Sequence, residues 1–262
     1  MKQRSEKQAR PAREELVFPK TVESLPPPEG LVEAAREIGV EFEPGDVEAL
    51  GRYLALLLEA NKLVNLTAIT DPAEAWTRHI LDSLTLVQVL VELPAGARVV
   101  DVGSGGGLPG LPLAICMPLL RFTLLEATAK KAAFLRHAVA VLGLKNVEVA
   151  AMRAETAGRD DRHRERYDAV VARAVGAVRV LVELTVPLAR SAEDEEPSRV
   201  VLIKGQKAEE ELVVAKRALH ELHVTHVGTI PTPTGRVVVI EKRRKTPAKY
   251  PRREGEPGKM PL

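Results

Sequence analysis

A glycine-rich stretch that follows a short β-branched run constrains the fold of this chain more than any other feature. Residues 98–102 read Arg-Val-Val-Asp-Val, and residues 103–110 continue as Gly-Ser-Gly-Gly-Gly-Leu-Pro-Gly. Four glycines within the five positions 103–107 permit positive φ angles and leave bare backbone against which a ligand can lie. Open α/β sheets bind their ligands at the carboxyl ends of strands. The stretch therefore predicts a ligand-binding turn between a strand and a helix.

Short β-branched runs alternate with helical stretches from about residue 97 onward. This alternation is typical of a parallel sheet with crossover helices. The last two runs have no helical stretch between them and are joined by Pro-Thr-Pro-Thr-Gly at residues 231–235, so we expect an antiparallel hairpin at the sheet edge. The predicted strands are residues 98–102, 121–126, 147–150, 168–172, 200–204, 223–229 and 236–241. Five βα units and a terminal hairpin favour a methyltransferase-type variant of the Rossmann fold.

Two helices are predicted before the first strand. Apolar residues recur at three- and four-residue intervals from Val47 to Leu58, and Asp46 is the expected N-cap. A second helix is predicted from Asp71, where a capping carboxylate, a proline at the first helical position and Glu74 coincide; it is expected to reach about residue 90. We divide the chain into a flexible N-terminal arm (1–30), a helical subdomain (31–92), a Rossmann-like domain (93–243) and a basic C-terminal tail (244–262).

Composition limits the class of protein. Hydrophobic residues make up 45% of the 262 residues and charged residues 28%, so the chain can bury a core and is not disordered throughout. One cysteine, Cys116, excludes a disulfide framework and a zinc site of several thiolates. The longest apolar run, at residues 111–120, is far shorter than the roughly 20 residues that cross a bilayer. We therefore expect a cytoplasmic protein with no membrane association.

Basic residues are concentrated at the two ends of the chain. Residues 1–20 carry six basic and three acidic side chains, and residues 241–262 carry eight and three, whereas the whole chain has a net charge of +2. Basic ends on a mildly acidic body suggest a polyanionic partner held by the tails, although solvated tails explain the pattern equally well. Aromatic residues make up only 3%, which counts against a nucleic-acid face built from stacked rings.

The glycine-rich stretch narrows the ligand to one that contains adenosine. Gly105, Gly107 and Gly110 satisfy the GxGxxG pattern of nicotinamide and flavin nucleotide sites. The overlapping pattern Asp-x-Gly-x-Gly-x-Gly, which begins at Asp101, is instead the one found around S-adenosylmethionine, where the aspartate can lie near the amino-acid end of the cofactor. Glu126, at the end of the second predicted strand, can accept hydrogen bonds from both ribose hydroxyls in either case.

Two basic residues at the same predicted sheet end, and a histidine on the predicted helix that begins at Asp71, are further candidates. Arg173 ends the fourth predicted strand and Lys204 the fifth, where each can contact a cofactor, a phosphate or a carboxylate, or be an ordinary strand-end charge. His79 lies beside Arg78 and three residues before Asp82, a spacing that also fits a helix-surface ion pair. No cluster has metal-ligand spacing, and neither a serine nucleophile elbow nor a Walker loop is present.

Several motifs in the same order resemble the glucose-inhibited division protein B family, bacterial methyltransferases of small-subunit ribosomal RNA that make 7-methylguanosine. The resemblance extends from about Glu59 to the end of the chain. Its motifs lie at residues 61–68 (Asn-Lys-Leu-Val-Asn-Leu-Thr-Ala), 79–84 (His-Ile-Leu-Asp-Ser-Leu), 101–112, 173–174 (Arg-Ala), 204–205 (Lys-Gly) and 250–262. An acidic loop at residues 191–197 departs from the family pattern and should face away from RNA.

The resemblance implies an α/β protein with an S-adenosylmethionine-dependent methyltransferase Rossmann-like fold. This fold has a mostly parallel seven-stranded sheet with an antiparallel terminal hairpin, here with an N-terminal helical subdomain. It also implies methyl transfer from S-adenosylmethionine to N7 of a guanine in 16S (small-subunit) ribosomal RNA. The cofactor-binding residues expected from the glycine motif and the resemblance are Asp101, Gly103, Gly105, Gly107, Leu108, Glu126, Ala127, Thr128, Ala154, Glu155 and Arg173. Those expected at the reacting base are Asn65, His79, Arg173 and Lys204, and those expected to bind RNA are Arg252, Arg253 and Lys259.

Two other functions stay open on the sequence. A nicotinamide-dependent oxidoreductase can use a similar sheet, and it would retain a dinucleotide and transfer hydride. A non-catalytic module that binds an adenosine ligand or RNA would show no turnover. We expect a monomer without a metal, acting on ribosomal RNA alone or within a ribosomal subunit particle.

Overall fold

A seven-stranded sheet forms the centre of the computed structural model, which describes residues 16–173, 176–192 and 196–262. The strands are β1 Arg98–Val102, β2 Arg121–Leu125, β3 Val147–Ala150, β4 Ala169–Arg173, β5 Ser198–Lys204, β6 Val224–Pro231 and β7 Arg236–Lys242. Three sequence predictions fall outside the described residues. They are residues 1–15 of the arm, Ala174 of the motif at 173–174 and residues 193–195 of the acidic loop.

The strand order is β3-β2-β1-β4-β5-β7-β6. Strands β1 to β5 pair in parallel, β7 is antiparallel to β5, and β6 pairs with β7 at the sheet edge. The predicted fold class is therefore confirmed, including the antiparallel terminal hairpin. Strand ends differ from the prediction by at most two residues. For example, β5 begins at Ser198 rather than at residue 200, because Ser198 is still in register with Lys242 of β7.

The helices surround this sheet. They are α1 Leu31–Glu37, α2 Asp46–Asn61, α3 Pro72–Ala75, a π-helical turn at Trp76–Leu81, α4 Asp82–Leu84, α5 Val87–Leu90, α6 Gly110–Cys116, α7 Ala129–Leu142, α8 Ala154–Ala157, α9 Val178–Thr185, α10 Ala208–Glu221 and α11 Glu256–Lys259. The predicted cap at Asp71 is confirmed, since its carboxylate accepts a 2.8 Å hydrogen bond from the Glu74 amide. The predicted cap at Asp46 is wrong. Gly45 is the N-cap at φ 100°, and the Asp46 carboxylate instead accepts from the Glu43 amide.

The two faces of the sheet are covered by different helices. Helices α8, α9 and α10 pack on the face that includes Val100, Val170 and Leu202. The opposite face carries α5, α6 and α7, with the N-terminal helices outside them. Helices α1 and α2 share an apolar cluster with α6 and α7, so residues 31–92 pack as part of the main core and not as a separate body.

The strand order creates a crevice between β1 and β4. The chain proceeds from β1 to β2 on one side of the sheet, and from β4 to β5 on the other. The loops that follow β1 and β4 therefore diverge, and this switch point is the place where open α/β sheets bind ligands. Val102 ends β1 and Arg173 ends β4, so the glycine-rich stretch and Arg173 lie on the two sides of this crevice.

Residues 16–30 correct the expectation of a flexible arm. Phe18 is buried and meets the Phe134 ring of α7 edge-on at a centroid distance of 5.7 Å. The His137 imidazole donates to the Pro19 carbonyl at 2.7 Å, and the Leu25 amide donates to the Gly51 carbonyl of α2. This part of the arm is thus an extended segment packed across α2 and α7. Its apolar residues are too widely spaced to show helical or strand periodicity in the sequence.

The basic C-terminal tail is likewise held against the body of the protein. Arg252 forms a bidentate ion pair with Glu183 of α9, with the closest N–O distance at 2.6 Å, and the Arg252 amide donates to the same carboxylate. The Glu183 side chain is fully buried. The Arg164 guanidinium donates to the carbonyls of Thr246 and Tyr250. Arg252, which we expected at the RNA, therefore neutralises a buried carboxylate.

Among the described residues, no helix combines the length and the apolar character that a membrane span requires.

Replacing Arg252 tests how far the tail depends on this ion pair. The Arg252→Ala variant leaves Glu183 as a buried charge without its partner, so we expect the free energy of unfolding to fall by about 3 kcal/mol. The Arg253→Ala variant is the matched control, because Arg253 is exposed, and it should change stability by less than about 0.5 kcal/mol. Urea unfolding followed by circular dichroism measures both. Equal stabilities of the two variants would contradict this role of Arg252.

Candidate functional site

The loop after β1 has a fixed shape with one open side. Gly103, Gly105 and Gly107 all have positive φ angles, at 74°, 56° and 99°. A Cβ atom on Gly105 would have only the Gly103 carbonyl oxygen nearby, at 3.8 Å, whereas one on Gly107 would lie 2.4 Å from Leu111. Gly107 is therefore required by packing against α6, and Gly105 faces free space. That free space at the switch point is where a ligand can approach the backbone.

Glu126 connects this loop to the end of β2. Its carboxylate is buried and accepts from the Gly105 amide at 3.0 Å and from the Thr128 amide at 2.6 Å. Each carboxylate oxygen has two lone pairs, so both oxygens keep acceptor capacity for a further donor. The residues that follow, Ala127 and Thr128, are exposed. The arrangement suits a ligand with two neighbouring hydroxyl groups, as a ribose has.

Asp101 lies beneath the same loop and is completely buried. Its Oδ2 atom accepts from the Gly110 amide at 3.0 Å, whereas Oδ1 is buried without a hydrogen-bond partner. Burial raises the pKa of Asp101 to about 7, although the Gly110 amide and Arg173 oppose the rise. A buried carboxylate with one unused oxygen is a site at which a ligand ammonium group gains a partner.

Arg173, His79 and Asp82 form a polar cluster on the other side of the crevice. The Arg173 guanidinium donates to the Arg78 carbonyl at 2.7 Å, to Asp82 Oδ2 at 3.2 Å and to His79 Nδ1 at 3.2 Å. The Thr234 hydroxyl, from the β6–β7 turn, donates to the other oxygen of Asp82. The π-helical turn thus presents its histidine to an arginine that lies 94 residues further along the chain.

The contacts of His79 occupy both of its ring nitrogens. Nδ1 lies 3.2 Å from the Arg173 guanidinium, which can only donate, and 3.2 Å from the Arg78 carbonyl, which can only accept. Nε2 lies 2.7 Å from the Thr67 hydroxyl. Burial and the positive charge of Arg173 lower the pKa of His79 to about 4. His79 is therefore neutral at pH 7, with both ring nitrogens engaged.

A cleft of about 410 Å³ opens at this polar cluster, and Thr67, Arg173 and Thr234 line it. Lys204 lies on its wall. Its ammonium group forms an ion pair with Glu211 of α10 at 3.0 Å and donates to the Gly176 carbonyl. Lys204 is thus held in place by α10, with its side chain largely buried. Arg173, His79 and Lys204 therefore all border one cleft.

The other residues singled out in the sequence lie outside this cleft. Asn65 is exposed on the loop that follows α2. Ala154 and Glu155 begin α8 and are buried, and the Glu155 carboxylate accepts from the Gly255 amide of the tail at 2.8 Å. Leu108 is buried within the glycine-rich loop. Arg253 and Lys259 are exposed. The cofactor and RNA roles of these residues stay predictions.

Sequence reasoning missed Thr67 and Thr234 as members of the cluster, and it read Asp82 only as a helix-surface partner. Asp82 and Thr234 are 152 residues apart, and no local spacing relates them. The signal that was available for two of them was the resemblance, because its motifs at 61–68 and 79–84 contain Thr67 and Asp82. Among the residues that the structure describes, no three His, Cys, Asp or Glu side chains are placed to hold a metal ion.

The chain is similar to known methyltransferases. Residues 46–235 match the family model GidB, described as rRNA small subunit methyltransferase G. The protein called ribosomal RNA small subunit methyltransferase G from Sorangium cellulosum is 51% identical over 229 residues, which cover 87% of this chain and 93% of the relative. The protein of the same name from Pelotomaculum thermopropionicum is 44% identical over 240 residues, covering 89% and 98%.

Solved structures share the fold at low sequence identity. The CurJ carbon methyltransferase has a TM-score of 0.50 and is 12% identical, with 82% of this chain and 66% of that chain covered. MtNAS in complex with MTA and tNA also has a TM-score of 0.50 and is 16% identical, with 82% and 87% covered.

The protonation state of His79 is directly measurable. We expect nitrogen-detected NMR titration to show a neutral ring from pH 8 down to pH 5, because burial and Arg173 hold the pKa near 4. In Arg173→Ala the pKa should rise towards 6.5, whereas the remote Arg253→Ala change should leave it unaltered. The His79→Gln variant identifies the signal among the six histidines. A ring that is already protonated at pH 6 in the unaltered protein would contradict the assignment.

Proposed function

The chain belongs to the rRNA small subunit methyltransferase G family, and from this premise we propose that it methylates N7 of a guanine in 16S ribosomal RNA. It is an S-adenosylmethionine-dependent methyltransferase of small-subunit ribosomal RNA. The choice of N7 is supported by one observation at the site. The histidine that borders the cleft has both nitrogens engaged, and burial and Arg173 lower its pKa to about 4, so it is a weak base that is poorly placed to remove a proton.

The residues around the glycine-rich loop fit S-adenosylmethionine. The Glu126 carboxylate can accept from the two ribose hydroxyls while it keeps its bonds to the loop amides. The unpartnered Oδ1 atom of Asp101 suits the ammonium group at the amino-acid end. Gly103 and Gly105 leave the backbone accessible, and we assign Ala127, Thr128, Ala154 and Glu155 to the adenosine side of the pocket. The cofactor supplies a methyl group on a positively charged sulfur.

Methyl transfer to guanine N7 requires no proton removal by the protein. It carries an in-plane lone pair and no proton, so no side chain has to act as a general base. Catalysis then reduces to alignment, which can supply about 7–11 kcal/mol of the barrier when the reacting groups are held in position. Arg173, His79, Lys204 and Asn65 orient the base and its phosphates on this proposal. This role explains why the first three border the cleft but form no acid–base pair with each other.

The substrate must expose its guanine. In an RNA duplex the edge that carries N7 faces a deep, narrow groove that side chains cannot enter, so the base is presented from a loop or is flipped out. Exposed Arg253 and Lys259 are available to bind phosphate groups, whereas Arg252 is engaged with Glu183. We propose that the protein acts as a monomer in the cytoplasm, where ribosomal RNA is found.

Methyl transfer to unmodified small-subunit RNA tests the proposed function. With radiolabelled S-adenosylmethionine, the label should appear at one guanine, and the modified site should be cleaved by the borohydride and aniline treatment specific for 7-methylguanosine. Naked RNA and assembled subunits are tested in parallel. Label at another atom would contradict the N7 proposal. Tight binding of a nicotinamide dinucleotide, together with indifference to the methyl donor, would contradict the cofactor assignment.

Gly105→Val should remove cofactor binding while the fold persists. A β-branched residue at φ 56° is strained by about 1–2 kcal/mol, and its side chain would occupy the free space of the pocket. We expect calorimetry to show binding of S-adenosylhomocysteine weakened by at least about tenfold. Gly143→Val is a matched control, since Gly143 also has a positive φ, 70°, and open surroundings but lies at the end of α7. Equal loss in both variants would contradict a specific role for Gly105.

His79→Ala should lower the rate of RNA methylation without changing the affinity for the cofactor. Because His79 holds Arg173 and Thr67 in the cleft, we expect kcat/KM for RNA to fall by up to about 100-fold, with the affinity for S-adenosylhomocysteine nearly unchanged. His137→Ala serves as the control, because it removes an imidazole of α7 that donates to the Pro19 carbonyl. Unchanged RNA turnover would remove His79 from the site.

A further inference from the structure

Tyr53 of α2 makes a direct hydrogen bond to the glycine-rich loop. Its side chain is fully buried, and its hydroxyl donates to the Gly106 carbonyl at 2.8 Å. Burial raises the pKa of Tyr53 further above its ordinary value, so the phenol keeps the proton that it donates. The bond joins the N-terminal helices to the loop after β1, across 53 residues of sequence.

The loop lies between α2 and the free space of the pocket. A Cβ atom on Gly106 would lie 2.7 Å from Cδ1 of Leu57 of α2, so the loop backbone packs closely against the Leu57 side chain on that side. The adjacent Gly105 faces the free space, and its amide donates to Glu126. One side of the loop is therefore supported by α2, and the other is turned towards the ligand.

The hydrogen bond from Tyr53 restricts a loop that would otherwise be flexible. Glycine gives up more conformational freedom on ordering than any other residue, and this loop contains three consecutive glycines. The bond from Tyr53 holds the peptide plane between Gly106 and Gly107, and the bond from the Gly105 amide to Glu126 holds the plane between Ser104 and Gly105. The two bonds therefore fix the loop at two points, and the backbone angles of Gly105 and Gly106 lie between them.

We propose that Tyr53 is a positioning residue for cofactor binding. Tyr53 acts by fixing the Gly106 carbonyl, and it thereby keeps the loop in the shape that binds the cofactor. The proposal rests on the proposed function, because it takes S-adenosylmethionine as the ligand of this loop. It gives α2 a part in cofactor binding, in addition to its part in the core.

Tyr53→Phe removes only the hydroxyl and tests the proposal. The variant leaves the Gly106 carbonyl buried without its donor, so we expect the Kd for S-adenosylhomocysteine, measured by calorimetry on the full chain, to rise by about five- to twentyfold. Tyr167→Phe is the matched control. Tyr167 is also fully buried, and its hydroxyl bonds to His163 Nδ1 at 2.6 Å on the opposite face of the sheet. This control should lose stability but keep the Kd of the unaltered protein.

The outcomes separate this proposal from the proposed function. An unchanged Kd in folded Tyr53→Phe, or an equal increase in Tyr167→Phe, overturns the positioning role alone. An unaltered protein that binds no S-adenosylhomocysteine overturns the cofactor assignment, and the positioning role with it.

A measurement on the unaltered protein covers the case in which Tyr53→Phe does not fold. Addition of S-adenosylhomocysteine should slow amide hydrogen exchange in peptides of α2 as well as in peptides of residues 101–110, because the loop and the helix are linked through Tyr53. Protection confined to the loop overturns the proposal.

Discussion

The carboxylate of Glu126 joins two turns that follow different strands, and the shape of the pocket depends on this junction. It accepts from Gly105 after β1 and from Thr128 after β2. A buried carboxylate that accepts hydrogen bonds from two backbone amides is satisfied, but it still has lone pairs for further donors. The same group can therefore hold the empty loop in shape and receive a ribose. Tyr53 supports that loop from the other side, so the glycines between them have little freedom left.

The parts of the fold that could be predicted from sequence are those fixed by local pattern. The strands appeared as β-branched runs, the terminal hairpin followed from the missing helix, and the cap at Asp71 followed from adjacent residues. The cap at Asp46 was misread because Gly45, which can adopt a positive φ, precedes it. The ion pair of Arg252 with Glu183 could not be predicted, because the charge pattern of the tail does not relate residues that lie 69 positions apart.

The candidate site also has parts that the sequence pattern predicted and parts that only the structure revealed. Asp101, the glycines and Glu126 could be placed together because parallel strands bring their carboxyl ends to one edge of the sheet. The contacts of Asp82 with Thr234 and of Tyr53 with Gly106 join residues from distant elements, and they required the structure. Family resemblance supplied residues such as His79, but only the structure shows that this imidazole is neutral and bound on both sides.

The position of β7 in the sheet has a consequence for how the protein is made. Among the described strands, β6 pairs with β7 alone, and β7 joins it to β5. As the chain leaves the ribosome, β6 emerges before β7 and has no neighbour in this sheet until β7 has followed it. The parallel half of the sheet can assemble earlier, but its edge is completed only after β7 has been synthesised. A chain cut short before residue 236 would leave β5 as an open edge, prone to pairing with other molecules.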